Sequence, residues 1–175
     1  MRKILIIALF AMIGMSAMAQ EKIQWMSFEN AVERCAKEPK MIFIDVYTDW
    51  CGWCKRMDIS TFSHPVIAQY MNEHFYAVKF DAERQDTITF QGHQFAGVMR
   101  PDGRKGSHQL AQAMLKGKMS YPSYVIMNEE MKIIQVIGGY QEVKQFEPMI
   151  HYFGDGAYKS MSGDEFLKDF KSEIE

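Results

Sequence analysis

Ile44-Asp45-Val46-Tyr47-Thr48-Asp49-Trp50-Cys51-Gly52-Trp53-Cys54-Lys55 joins an apolar run carrying one acid to two cysteines three residues apart. Residues 41–47 are almost wholly apolar, the pattern of a short central strand buried on both faces. The chain then turns through Thr48, Asp49 and Trp50, so the cysteines fall where a strand ends and a helix begins, the usual edge for chemistry in α/β sheets. Cysteines at this spacing in a first helical turn share a face and lie close enough to form a disulfide. Cys51, at the helix start, meets free backbone N–H groups and the positive end of the helix dipole, which favour its thiolate. Cys54, one turn inside, is expected to be more buried and less ionised. That asymmetry makes Cys51 the exchanging sulfur and Cys54 the resolving one. Asp45 sits in an apolar strand, where a carboxyl has a raised pKa and can exchange a proton with Cys54; the alternative is a strand-end acid that caps a turn.

Outward from this stretch, the periodicity continues as alternating strands and helices. On the N-terminal side, Phe28, Ala31, Val32, Cys35 and Ala36 recur at helical spacing within residues 27–36. Cys35 lies on the apolar face and reads as a small buried hydrophobe rather than a bridge partner. On the other side a helix runs over residues 66–74, with Ser63 as its cap and Pro65 at its start. A strand follows at residues 75–81. A strand, helix, strand order over this length implies a parallel pair. Residues 82–120 are less regular: a hairpin is expected from residues 87–90 and 94–98, a turn at residues 101–103, and a helix over residues 108–115 that ends at Gly117. Residues 124–127 and 133–137 read as an antiparallel hairpin. Residues 143–153 form a helix, and Ser162 starts a last amphipathic helix carrying Phe166, Leu167 and Phe170.

At 175 residues the chain suits one domain. Arg2 and Lys3, an apolar run from residue 4 to about 14, and Ala17-Met18-Ala19 together have the form of a secretory signal peptide, residues 1–19. Its uncharged stretch is shorter than the roughly 20 residues of a spanning helix. The expected organisation is therefore a cleaved leader followed by one exported domain, residues 20–175, periplasmic or secreted and without a membrane span. Without residues 1–19, 18 basic residues stand against 22 acidic ones, a net charge of −4. Basic and acidic residues are interspersed, so no footprint for nucleic acid is expected.

A zinc site commonly uses two C-x-x-C pairs, and there is only one here; His64, His74, His93, His108 and His151 are scattered. No metal or other cofactor is expected beyond the Cys51–Cys54 pair itself. Copper or zinc handling by the two cysteines and a histidine is kept as an alternative.

The segment from Ile44 through Lys55 resembles the active site of the thioredoxin superfamily, and Tyr121-Pro122 before an apolar strand resembles that family's cis-proline. From Tyr47 to Pro65 the chain is especially similar to exported thioredoxin-like domains of the DsbD disulfide-interchange family. The resemblance implies a thioredoxin-like α/β fold: a central mixed sheet flanked by helices, an insertion at residues 82–120 before the cis-proline strand, and an added C-terminal helix. It implies that Pro122 is cis and keeps metal off the dithiol, and that Tyr121 offers backbone groups to an extended substrate. Trp50 and Trp53 join Tyr121 and Pro122 as candidate substrate contacts. Lys79 matches a family lysine that faces the buried acid, although a surface lysine is the simpler expectation. Gly52-Trp53 replaces the Gly-Pro of reducing thioredoxins, and the bulky Tyr121 narrows the groove.

The implied activity is thiol-disulfide exchange, most directly the reduction of protein disulfides through a mixed disulfide. Its partners are protein thiols and disulfides, together with a membrane-linked electron donor. Disulfide formation or isomerisation on the same fold is the alternative direction.

Overall fold

The computed structural model describes residues 21–174. The expected leader, residues 1–19, and its cleavage point lie outside the described residues.

The apolar run forms β1 (Met41–Tyr47), the inner strand against which everything else is organised. It follows α1 (Phe28–Lys37), capped by Ser27, whose side chain accepts a hydrogen bond from Asn30 N–H. After β1 come α2 (Gly52–Ser60), α3 (Pro65–His74) and β2 (Phe75–Asp81). β2 pairs with β1 in parallel, as the crossover length requires, and places Lys79 directly opposite Asp45. Met26 adds a parallel bridge to Val78 on the outer side of β2.

The cap of α3 differs from expectation. Ser63 turns its hydroxyl back to the Ile59 carbonyl at the end of α2, so His64 occupies the cap position and Pro65 the first turn. Proline there costs nothing, because its missing N–H has no helical partner in any case.

Residues 82–120 fold as two small hairpins and a helix: β3 (Thr87–Phe90) with β4 (His93–Ala96), β5 (Val98–Met99) with β6 (Lys105–Gly106), and then α4 (Gln109–Met114). The single strand expected over residues 94–98 is thus broken at Gly97. A Cβ on Gly97 would lie 2.4 Å from Gln85 Cα, so the backbones touch there and Val98 passes to a different hairpin. The turn expected at residues 101–103 is the tip of that second hairpin.

The chain re-enters the sheet through β7 (Ser123–Met127) and β8 (Ile133–Gly138), then forms α5 (Val143–Gly154) and α6 (Gly163–Asp169). The sheet order is β2-β1-β7-β8, with β7 antiparallel to both of its neighbours. It is therefore the expected mixed sheet.

Alternate residues of β1 feed two core layers. Ile42, Ile44 and Val46 pack with α1 and α4, including Cys35, which is buried and free. Phe43 packs on the opposite side with Met57 of α2, Phe62, Tyr124 and Phe146 of α5. Asp45, two residues on, shares this second face and is the acid in an aromatic layer. No described helix is long and apolar enough to cross a membrane.

Candidate active site

β1 delivers the chain to the sheet edge, and Thr48 C=O accepts from Cys51 N–H at 3.0 Å to close the turn into α2. Cys51 is the N-cap residue of α2, and its sulfur accepts the Cys54 N–H at 3.1 Å. Cys51 and Cys54 are disulfide-bonded, with Cα atoms 5.3 Å apart. Both are buried, 5% and 2% exposed. The difference between them is therefore position on the helix rather than exposure. In the dithiol form the cap position supplies Cys51 with the backbone N–H that favours a thiolate.

Asp45 is buried on the α2 side of the sheet, and desolvation pushes its pKa up to about 6 against the opposing pull of Lys79. Its Oδ2 accepts from Lys79 Nζ at 2.6 Å, while Oδ1 is buried without a partner among the described residues. Lys79 is not the surface lysine expected from the sequence. Only 21% of its side chain is exposed, it pairs with both Asp45 and Asp58, and its ammonium sits over the rings of Trp25, Tyr47 and Phe62. Burial by itself lowers the Lys79 pKa, and the two carboxylates more than reverse that, so it stays charged.

Asp58 and Tyr124 escaped the sequence reading. Asp58 lies one turn beyond Cys54, a spacing that could have flagged it, and it ties α2 to β2 through Lys79. Tyr124 is the β7 partner of Asp45 in register, and its hydroxyl is buried without a partner among the described residues. Burial, then the charges of Asp45 and Asp58, raise its pKa, so it remains a neutral phenol.

The Tyr121–Pro122 bond is cis, as the resemblance implies. Among the described residues, the main-chain N–H and C=O of Tyr121 take no part in the hydrogen bonds of the fold. Trp50 and Trp53 are both exposed and rest on different partners. Trp50 packs edge-to-face on Tyr121 at 5.8 Å and donates from Nε1 to Glu83. Trp53 leans on Tyr140 at 5.5 Å, with the Arg56 guanidinium over both rings. Among the described residues, no three His, Cys, Asp or Glu side chains are grouped as metal ligands.

A disulfide at a strand-to-helix edge, a buried acid in the strand before it and a cis-proline at residues 121–122 together mark a thioredoxin fold that is thiol-disulfide oxidoreductase-like. Residues 14–151 match the family Thioredox_DsbH, described as a protein of unknown function, DUF255, and the chain belongs to that family. Among solved structures it is similar to a DsbH oxidoreductase, with a TM-score of 0.54 and 19% identity over 76% of this chain and 85% of that one. It is also similar to a thioredoxin from Thermus thermophilus, with a TM-score of 0.58 and 12% identity over 79% and 94% of the two chains. Identities this low establish the common fold. Spermatogenesis-associated protein 20 of Homo sapiens is 30% identical over 71 residues, 40% of this chain. The match spans 9% of that protein's length.

Proposed function

We propose that this chain is an exported thiol-disulfide oxidoreductase that reduces disulfides in other proteins. The observation that carries this reading is a disulfide whose first cysteine caps α2, following a strand that buries a carboxyl with its pKa pushed up to about 6. In the reduced protein, the Cys51 thiolate attacks a substrate disulfide. One S–S bond breaks, a Cys51–substrate disulfide forms, and the leaving sulfur departs as a thiolate that takes up a proton. Cys54 then gives its proton toward Asp45 and attacks the Cys51 sulfur. The Cys51–Cys54 bond forms and the second substrate sulfur is released.

Two electrons have moved from protein to substrate, so a thiol donor must reduce the pair again. In an oxidising compartment we place that donor at the membrane. Asp45 suits the resolving step because a carboxyl titrating near 6 accepts a proton and returns it close to neutral pH. Tyr121, with its main chain unused, supports docking of an extended segment beside the cis-proline, and Trp50 and Trp53 offer apolar rims to the same segment.

Two measurements test this. Equilibration with glutathione is expected to give a potential well below the roughly −120 mV of a strong oxidant; a value near that figure makes the protein a disulfide-forming enzyme instead. C54A is expected to accumulate mixed disulfides with protein substrates, and C51A/C54A none. If C54A traps nothing and the wild type does not reduce insulin, the redox reading fails.

A further inference from the structure

The insertion builds a cleft that adjoins the redox site. Glu83, Val98, Arg100, Lys105, Ser107 and Met119 are among the residues lining a space of about 380 Å3. Two of these reach the residues around the disulfide. Glu83 Oε2 accepts from Trp50 Nε1 at 3.1 Å, and Ser107 Oγ lies 3.4 Å from the Tyr121 hydroxyl. Trp50 and Tyr121 touch each other, so a polypeptide lying over them beside Cys51 runs into this cleft.

The charges in the cleft are unequal in their engagement. Its one acid, Glu83, is turned to Trp50. Arg100 is exposed and approaches Asp102 only at 3.8 Å, and among the described residues Lys105 forms no ion pair. The stem of Arg100 packs beside Gly106, which keeps it on the wall. Arg100 on the wall, beside one committed carboxylate and next to a hairpin position that carries Lys105, favours an anionic guest.

The frame that holds them is fixed beforehand. His108 is buried with both ring nitrogens engaged, one by Leu110 N–H and the other at the Asp86 carbonyl, and Arg84 ties the insertion to Glu29 of α1. A preformed frame keeps the ordering cost of binding low.

We propose that this cleft is a specificity subsite of the redox centre, one that receives an acidic side chain flanking the cysteine of a polypeptide substrate. The proposal rests on the disulfide-exchange reading above and makes the insertion a selector of acidic segments.

Two cystine-linked peptide dimers of equal length test it, one with glutamates on both sides of each cysteine and one with glutamines. Reduced wild-type protein is expected to react about tenfold faster with the glutamate peptide at low salt, with the preference shrinking as salt screens it. R100E/K105E is expected to lose the preference while keeping its rate on the glutamine peptide. Equal rates in a wild type that reduces both peptides, or a preference that survives in the double variant, overturn the proposal. A glutamate peptide without cysteine, titrated calorimetrically into the oxidised protein, separates the two ideas. Binding by the wild type and R100Q/K105Q alike, or by neither, removes the subsite even where exchange chemistry is intact. Binding by the wild type alone supports it even where neither cystine peptide reacts.

Discussion

Asp45 is a carboxyl whose ionisation the fold opposes: its layer is aromatic, one oxygen has no partner, and Lys79 compensates only the other. Its pKa rises from 3.8 to about 6 on folding. Stability is fully present while both folded and unfolded chains hold the proton, below about pH 4, and is lost as pH rises through about 6. D45N should therefore be the more stable protein at pH 7, by about 1–3 kcal/mol, with the gap closing toward pH 4. Urea unfolding across this range checks it, and parallel curves for the two proteins would count against it. K79M removes the cation that holds Asp45 down, so the carboxyl should titrate higher still, by about one unit or more, as read by carboxyl NMR. Y124F deletes a buried hydroxyl that has no partner. It should leave stability unchanged or raise it by up to about 1 kcal/mol in thermal melts.

At the level of elements, the strand-turn-helix unit of β1 and α2 was legible because every cue in it is local. An apolar run, a turn and a cysteine at the cap position lie within a dozen residues. Lys79 was misread for the opposite reason. It meets Asp45 only through the parallel register of β1 and β2, strands that two helices separate in sequence. Gly97 escaped for a similar reason, since its role comes from the Gln85 backbone pressed against it rather than from its neighbours in sequence. G97A should push these backbones apart and destabilise the insertion by about 1–3 kcal/mol. Hydrogen exchange is expected to quicken in residues 85–106 ahead of the central sheet. A variant with unaltered exchange there would show that the contact carries no weight.

Across the entire chain, one sheet edge carries the disulfide while the insertion folds beside it and touches it through Trp50 and Tyr121. The four-stranded sheet is complete without β5 and β6, and neither strand belongs to its hydrogen-bonded order. Replacing residues 98–106 with a short Gly-Ser loop should therefore leave a folded domain whose thiols still react with small aromatic disulfides. Peptide reduction should lose its dependence on flanking acids. Unfolding of the shortened chain would instead make this hairpin part of the structural core.

Amino-acid order was enough to define the mixed α/β pattern, the dithiol at a helix start, and the acid in the strand before it. Each is written in periodicity or spacing over a few residues. Only folding brought Lys79 and Asp58 to Asp45, sealed the Tyr124 hydroxyl in the aromatic layer, and laid the insertion against the redox edge. The Lys79 pairs and the Trp50–Glu83 bond link residues 21 to 34 positions apart, and strand register and packing choose them only when the chain closes on itself.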